Sequence, residues 1–266
     1  KVDKIKEHNY FFKMGQHQDW LKEYIKSNDE FIQPVSRRNE VLGFLDNPLG
    51  DLCISRPKER LPWGIPLPFD EDYVTYVWFD ALINYISAHG SLDEVKKSGF
   101  WPANHHLLGK DILTTHAVYW STMLKAIGLD PAHNLFAHGW WTVNGQKMSK
   151  SIGNVVEPNH LVDQFGVDTI RYFLLREVPF GMDGDFSHKA LIGRINSDLA
   201  NNLGNLLNRT ISMMKRYHDN VVPEPTDPTE DADLKEEFRS GIDDVHKLYS
   251  ELAYNKILER IWVLVD

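Results

Sequence analysis

The amino-acid sequence predicts an α/β protein in which a parallel, doubly wound sheet is followed by a bundle of α-helices. Two features carry this prediction. Between residues 73 and 138, short β-branched and aromatic runs alternate with stretches of helical pattern, as they do in βαβ units. From Lys189 onward, apolar residues recur at steps of three and four, which is the period of an amphipathic helix. The sequence does not open with a strand, a turn and a helix, so we expect it to begin within a domain.

The first predicted elements are a short strand within residues 7–14 and a helix that starts near Asp19. Residues 42–68 are rich in Gly and Pro, which predicts turns rather than a helix. Residues 73–79 form an apolar run that predicts a buried strand, which Asp80 ends before a helix over 81–89. The alternation then repeats, with a strand end at 106–108, a helix over 112–127 and a strand over 134–138.

The C-terminal part predicts helices. Residues 189–218 carry one apolar stripe, which predicts a long amphipathic helix. Residues 221–231 hold three prolines and four acidic residues, a composition typical of a solvated connection. A second apolar stripe over residues 234–264 predicts a second long helix, and two such helices are the start of a bundle.

Composition narrows the class of protein. Of 266 residues, 42% are hydrophobic and 25% are charged, the proportions of an ordinary globular protein. No apolar run approaches the roughly 20 residues that cross a bilayer, and the first residues are charged, so we expect a cytoplasmic protein or, alternatively, one of the mitochondrial matrix. Cys53 is the only cysteine, which excludes an internal disulfide and a Cys-x-x-Cys zinc site. A net charge of −9 argues against general polyanion binding.

The strongest motif is K-M-S-K-S at residues 147–151, which we call the signature loop. Lys147 and Lys150 are cationic, Ser149 and Ser151 add hydroxyl donors, and glycines flank the motif. This composition predicts a mobile loop that binds phosphate oxygens. The loop follows a predicted strand over 135–143 and precedes a predicted helix, as a ligand site at the carboxyl end of a strand requires. A solvated turn is the alternative interpretation.

In this setting the motif resembles the K-M-S-K-S loop of class I aminoacyl-tRNA synthetases. The resemblance implies ATP as a substrate, accompanied by Mg²⁺. It also implies that Lys150 neutralises charge on the α-phosphate and that Lys147 holds the departing phosphates. Such chemistry depends on positioning and charge stabilisation more than on covalent work by the protein.

Residues 76–85, Y-V-W-F-D-A-L-I-N-Y, resemble the methionine-pocket segment of methionyl-tRNA synthetases. The resemblance implies that Trp78, Ala81, Leu82 and Tyr85 wall the side-chain pocket. Flat aromatic walls suit a thioether, because sulfur packs favourably at ring edges. The family more often has Pro at the position of Leu82. An apolar core with no ligand is the alternative for this segment.

Residues 108–120 begin L-G-K-D-I and resemble a second segment of the same family. Gly109 allows a ligand to approach the backbone closely, and Asp111 at a helix start can accept a hydrogen bond from a ribose hydroxyl. The resemblance implies that these two residues bind the adenylate, while Ile112 and His116 contact the methionine side chain. His105 and His106 are expected to be structural residues.

Five further positions are implied by the resemblance. His138 and Trp140 would contact the adenine. Arg56 would reach the active site, with a surface ion pair as the alternative. On the first bundle helix, Asn205 and Arg209 would contact the anticodon, since both can read unstacked bases; a solvated polar face is the alternative. The stacking tryptophan of the family is expected beyond Asp266, so Trp262 is not given that role.

The similarity to methionyl-tRNA synthetases covers the whole chain and implies four regions. These are the end of an inserted region and a linker (1–50), the second half of a Rossmann-like catalytic domain (51–146), the loop and stem-contact region (147–188) and the start of the anticodon-binding bundle (189–266). In the implied reaction the carboxylate of L-methionine attacks ATP to give methionyl-adenylate and pyrophosphate, and a terminal ribose hydroxyl of tRNA(Met) then takes the methionyl group. The H-I-G-H motif of the N-terminal half is absent from these residues, so we expect the chain alone to be inactive and to need that half. We also expect the chain to contain none of the family's zinc ligands.

Two other functions stay open at the level of sequence. An isoleucyl- or valyl-type synthetase shares the signature loop and a Trp-Phe-Asp segment. A tRNA-binding module without catalytic activity could also retain the loop. Residues 81–85 and the Gly-Lys-Asp sequence that ends at Asp111 favour methionine.

Overall fold

A computed structural model describes residues 6–224, 229 and 231–266. The chain divides into two compact units, Lys1–His138 and Gly139–Asp266. In the first unit the elements follow in this order: β1 (Phe11–Phe12), a 3₁₀ turn (Met14–His17), α1 (Gln18–Ser27), β2 (Ile32–Gln33), α2 (Val35–Phe44), β3 (Leu52–Cys53), β4 (Ser55–Pro57), β5 (Pro66–Leu67), β6 (Asp70–Thr75), α3 (Val77–Ser87), α4 (Leu92–Lys97), β7 (His105–Gly109), a 3₁₀ turn (Lys110–Ile112), a π-helical segment (Thr115–Trp120), α5 (Ser121–Ile127) and β8 (Asn134–His138).

The core of the first unit is a three-stranded parallel sheet in the order β2-β8-β7. The central strand β8 has the predicted bounds, and its residues Leu135, Phe136 and Ala137 are buried. Helices α1, α3 and α5 contribute their apolar faces to the same core. The predicted parallel sheet is therefore confirmed, and its central strand reads as a continuous apolar run because both faces are covered.

The strand predicted over residues 73–79 is wrong in its second half. Strand β6 ends at Thr75 and pairs antiparallel with β4 and β5 in a separate small sheet. Helix α3 begins at Val77, and the amides of Phe79 and Asp80 donate to the carbonyl of Tyr76 in its first turn. A short apolar run does not distinguish strand from helix by its pattern, and here burial of Leu82 and Ile86 along one helix decides.

In the second unit the elements follow in this order: β9 (Trp141–Val143), β10 (Gln146–Lys147), α6 (Pro158–Phe165), α7 (Val167–Glu177), β11 (Gly184–Phe186), α8 (His188–Arg194), a π-helical segment (Ile195–Gly204), α9 (Asn205–Tyr217), α10 (Ala232–Ser250) and α11 (Tyr254–Val265). Strands β10, β9 and β11 form a three-stranded sheet within this unit. The single strand predicted over 135–143 is therefore two strands in different sheets. Gly139 separates them, because its backbone packs so closely on Met182 and Asp183 that a Cβ atom would overlap them.

The long helix predicted over 189–218 is confirmed, since the chain is helical without interruption from His188 to Tyr217. The single helix predicted over 234–264 is wrong. It is two helices, α10 and α11, and the chain turns between them at Leu252, whose φ is 56°. Gly241 lets α11 approach α10, because a Cβ there would lie 2.8 Å from Leu264 Cδ1. Much of the connection predicted over 221–231 lies outside the described residues.

The predicted combination of a parallel sheet with C-terminal helices is thus confirmed, whereas the four region boundaries stay predictions. Among the helices that the structure describes, none is both long enough and apolar enough to span a membrane.

Candidate active site

The four residues predicted to wall a side-chain pocket lie on one helix. Trp78, Ala81, Leu82 and Tyr85 are spaced by three, four and seven residues along α3, so they share one face. Trp78 and Tyr85 are 40% and 39% exposed, whereas Leu82 is 2% exposed. Leu82 therefore belongs to the core beneath this face, and the two aromatic rings form its accessible part.

Tyr85 is joined to His116 by a hydrogen bond of 2.8 Å between Oη and Nε2. The other ring nitrogen of His116, Nδ1, lies 2.9 Å from the carbonyl oxygen of Ile112. A carbonyl only accepts, so Nδ1 carries the proton and Nε2 of the neutral ring accepts from the Tyr85 hydroxyl. Burial lowers the pKa of His116 and raises the pKa of Tyr85. Both groups are therefore neutral at pH 7, and the surface suits an uncharged side chain.

His106 also lies in this cluster, although the sequence predicted that it has only a structural role. Its ring centroid lies 4.3 Å from that of Tyr85 and 6.2 Å from that of His116. The side chain is buried and its Nε2 has no hydrogen-bond partner among the described residues. Burial, helped by the nearby His116, lowers the pKa of His106 to about 4. Buried and exposed residues alternate along β7, which turns His106 inward with Leu108, whereas the sequence His-His-Leu-Leu-Gly shows no such alternation.

The predicted adenylate residues of the first unit lie at the carboxyl ends of two parallel strands. Gly109 ends β7 and pairs in register with His138, which ends β8. A Cβ on Gly109 would lie 2.7 Å from an Asp111 carboxylate oxygen and 4.0 Å from His138 Cε1. The missing side chain thus lets the Asp111 carboxylate pack against the Gly109 backbone, at the sheet edge where ligands of α/β proteins bind.

Arg56 is held beside the start of α3. Its guanidinium lies 4.2 Å from the centroid of the Tyr76 ring, and Nη1 donates to Cys53 Sγ at 3.0 Å and to the Ser55 carbonyl at 2.7 Å. Tyr76 is the residue that precedes α3. Arg56 is therefore fixed near the helix that carries Trp78, and a cation–π contact holds it there.

In the second unit, a β-hairpin carries the first lysine of the signature loop. Strands β9 and β10 are joined by Asn144 and Gly145, whose φ values of 53° and 70° are those of a tight hairpin turn. Asp185 Oδ1 accepts from Thr142 Oγ1 at 2.6 Å and from the Gly145 amide at 2.8 Å. These hydrogen bonds lower the pKa of Asp185. The hairpin that ends in Lys147 is thereby anchored to β11.

Lys147 and Trp140 come together in this unit. The Lys147 ammonium lies 3.8 Å from the centroid of the Trp140 ring, within the range of a cation–π interaction. Lys150 is exposed at a turn, and the hydroxyls of Ser149 and Ser151 lie 2.7 Å apart beside it. The structure thus displays both lysines and both hydroxyls on one short segment.

The predicted anticodon residues lie on the exposed helix α9. The Asn205 side chain donates to the Asn201 carbonyl at 2.9 Å, and Arg209 is exposed one turn later. Trp262 has a different environment: its indole nitrogen donates to Tyr172 Oη at 2.5 Å. Among the described residues, no group of three or more His, Cys, Asp or Glu side chains is arranged to hold a metal ion.

Comparison with known proteins decides the family. Residues 1–211 match the family model described as tRNA synthetases class I (M). The chain belongs to this family of class I synthetases. Residues predicted from that resemblance lie in both units. In the first unit Tyr85 is hydrogen-bonded to His116 and shares one face of α3 with Trp78, and in the second unit Lys147 contacts Trp140.

Two bacterial relatives show how much of a longer protein this chain represents. The methionine–tRNA ligase of Clostridium tetani is 50% identical over 275 residues, and that of Caldanaerobacter subterraneus subsp. tengcongensis is 49% identical over 268 residues. The matches include 99% and 100% of this chain but 42% of each relative. The chain therefore spans about two fifths of the length of these curated relatives.

A solved structure of the family has the same fold. The methionyl-tRNA synthetase of Mycobacterium tuberculosis, bound by methionyl-adenylate, is 42% identical and superimposes with a TM-score of 0.90. The match covers 98% of this chain and 52% of that protein. It supports the predicted second half of a Rossmann-like nucleotide-binding fold, followed by helices.

Proposed function

We propose that this chain forms the C-terminal part of the catalytic core of a methionine–tRNA ligase. The complete protein would activate L-methionine with ATP and transfer the methionyl group to tRNA(Met). The observation that carries the proposal is the neutral pair formed by Tyr85 and His116, with Trp78 on the same face of α3 as Tyr85, on a chain that also has an intact signature loop. A neutral, aromatic surface suits the unbranched thioether of methionine, because sulfur packs well at ring edges.

In this proposal the methionine side chain lies against α3. Trp78, Ala81 and Tyr85 form one side of its pocket, with Leu82 beneath them. Ile112 and His116 form the other side. The Tyr85–His116 hydrogen bond fixes the orientation of both rings, and a pre-formed wall binds with less loss of side-chain entropy. A charged side chain is disfavoured, because the neutral rings of Trp78 and Tyr85 offer no charge to compensate for its desolvation.

The adenylate would occupy the carboxyl ends of β7 and β8. Gly109 allows close approach of the nucleotide, and Asp111 accepts from its ribose. His138 and Trp140 would contact the adenine, and Arg56 is proposed to reach the active site from its position beside Tyr76. Lys150 would neutralise charge that develops on the α-phosphate, and Lys147 would hold the pyrophosphate that leaves with Mg²⁺. Ser149 and Ser151 would donate to phosphate oxygens.

The tRNA would contact the helical part of the chain. Asn205 and Arg209 face solvent on α9, and their amide and guanidinium groups can pair with unstacked anticodon bases. The proposal also needs the N-terminal half that carries H-I-G-H, because the curated relatives are more than twice as long as the matching region. Since those relatives are bacterial proteins of translation, we propose the cytoplasm as the place of action.

The test is methionine-dependent exchange of pyrophosphate into ATP by the complete polypeptide that contains these residues. We expect exchange with methionine and far less with isoleucine or valine. Lys150→Ala should reduce kcat by roughly a hundredfold or more, the scale on which loss of one transition-state contact is felt. Lys97→Ala, which removes an exposed lysine from α4, is the matched control and should leave exchange unchanged.

The same experiment separates the alternatives. Exchange driven by isoleucine or valine would assign the chain to one of those synthetases. Unchanged behaviour of Lys150→Ala, together with binding of tRNA and no exchange by the wild type, would indicate a non-catalytic tRNA-binding module. Exchange by residues 1–266 alone at the rate of the complete protein would show that the N-terminal half is dispensable.

A further inference from the structure

The segment that follows the signature loop contains an asparagine whose side chain bridges the loop. Asn154 Oδ1 accepts from the Ser149 amide at 2.8 Å, and its Nδ2 donates to the Lys147 carbonyl at 3.3 Å. One carboxamide thus closes a ring of main chain around residues 147–154. We propose that Asn154 is a positioning residue that sets the spacing of Lys147 and Lys150 for phosphate binding, an inference that rests on the proposed function.

The bridge acts on the main chain of the loop rather than on its lysine side chains. The amides of Ile152 and Gly153 donate to the Ser149 carbonyl at 3.2 and 3.1 Å, so both polar groups of the Ser149 backbone are hydrogen-bonded. Lys150 follows Ser149 directly within this turn. Gly153, with φ 73°, allows the chain to turn back so that Asn154 reaches the start of the loop.

The other end of the bridge fixes Lys147. Its carbonyl accepts from Asn154, its ammonium lies over the Trp140 ring, and its strand is paired with β9. The Cα atoms of both lysines are consequently tied to one half-buried side chain, while each ammonium group is carried on a flexible four-carbon stem. A catalytic loop needs this combination, because misplacement of a cation by about 1 Å can cost on the order of a hundredfold in rate.

The chemistry of the bridge requires a carboxamide. The side chain must accept from the Ser149 amide with one atom and donate to the Lys147 carbonyl with another, and the oxygen and nitrogen of a carboxamide do both. Aspartate has nearly the same shape but only acceptors, so it would keep the contact with Ser149 and place a carboxylate oxygen against the Lys147 carbonyl. Alanine removes both contacts. The two substitutions therefore separate loss of the bridge from loss of shape.

The experiment compares Asn154→Ala and Asn154→Asp with Asn159→Ala in the complete polypeptide. Asn159 is exposed in the first turn of α6, where its side chain donates to Glu157 Oε1 at 3.2 Å. For both Asn154 variants we expect kcat of methionine-dependent pyrophosphate exchange to fall about tenfold or more. The KM for methionine should change by less than about twofold, because the methionine pocket lies on other elements. Asn159→Ala should match the wild type.

Amide hydrogen exchange supplies an independent measurement. In the wild type we expect the Ser149 amide to exchange more slowly than an unstructured amide, and in Asn154→Ala this protection should be lost. Wild-type kcat in both Asn154 variants, or an unprotected Ser149 amide in the wild type, would overturn the inference. Should Asn154→Ala fail to fold, the near-isosteric Asp variant and the wild-type exchange rate decide. Failure of the proposed function gives a different result, namely no methionine-dependent exchange by the wild type.

Discussion

The Tyr85 hydroxyl donates to His116 Nε2 across 2.8 Å, and the direction of that bond is dictated by a third group, the Ile112 carbonyl. Because Nδ1 of His116 must donate to this carbonyl, Nε2 is left as the acceptor in the neutral ring. The Ile112 carbonyl thus determines, through His116, that the Tyr85 hydroxyl on α3 acts as a donor in this bond. The Tyr85 oxygen keeps its lone pairs for a further contact at the exposed face of α3.

Removal of that hydroxyl should weaken methionine binding as well as folding. In Tyr85→Phe the ring stays, but His116 Nε2 loses its donor, which costs about 1 kcal/mol in unfolding free energy. We expect the KM for methionine to rise several-fold while the KM for ATP is unchanged. Steady-state exchange kinetics and thermal denaturation measure the two effects. Tyr24→Phe is the matched control, since Tyr24 packs on Trp20 and Phe31 in another part of the unit. Equal effects of both substitutions on the methionine KM would contradict the assignment.

His106 should make the stability of the protein depend on pH. Its pKa is about 4 in the folded protein against an ordinary value of 6.5, so between these values the unfolded chain binds more protons. The free energy of unfolding should therefore fall as the pH is lowered from 6.5 to 4, by up to about 3 kcal/mol for this group. Above pH 6.5 both states are neutral and the contribution is constant.

The variant His106→Phe isolates this contribution. Phenylalanine keeps an aromatic ring beside Tyr85 and removes the titrating group. Urea unfolding at pH 7, 5.5 and 4.5 should show that the variant loses less stability on acidification than the wild type. Some pH dependence should persist, because burial also lowers the pKa of His116. Parallel curves for the wild type and the variant would refute the prediction.

Trp262 should contribute to stability and not to tRNA binding. Its indole nitrogen donates to Tyr172 Oη, which in turn donates to Asp198 at 2.6 Å. This environment raises the pKa of Tyr172 to about 12, chiefly through burial and the hydrogen bond to Asp198. Trp262→Phe should lower the unfolding free energy by about 1 kcal/mol and leave the affinity for tRNA unchanged. Weaker tRNA binding at unchanged stability would instead assign Trp262 to the tRNA interface.

The sequence predicted the parallel sheet and the α9 region well because both have long, regular patterns. Strand β8 is apolar throughout and residues 188–217 follow the helical period. It failed at residues 76–79, where a short apolar run joins a strand to a helix and local pattern cannot choose between them. The corrected assignment also affects the site. One helix presents Trp78 and Tyr85 on a single face, whereas the predicted strand and helix would have placed these two residues on different elements.

Other features depend on tertiary contacts that no local pattern encodes. The burial of His106 follows from its inward position on β7 beneath Tyr85. The break between α10 and α11 lies within a continuous apolar stripe and becomes visible only because Leu252 turns the chain back. The bridge formed by Asn154 depends on a loop closure over several residues. Motifs could identify the types of side chain at the site, but their partners follow from the fold.

Gly139 should be intolerant of any side chain, and Gly43 offers a contrast. A Cβ at Gly139 would overlap the Met182 carbonyl and lie 2.5 Å from the Asp183 amide nitrogen. Both are backbone atoms that cannot rotate away, so Gly139→Ala should cost about 2–3 kcal/mol of unfolding free energy. Gly43 lies within α2, and a Cβ there would meet no atom within 4 Å in the described part of the chain beyond its own helix backbone and chain neighbours. Gly43→Ala should therefore stabilise the protein by about 0.5–1 kcal/mol through helix propensity. Chemical denaturation measures both changes, and equal signs for the two substitutions would contradict the close approach of the backbone at Gly139.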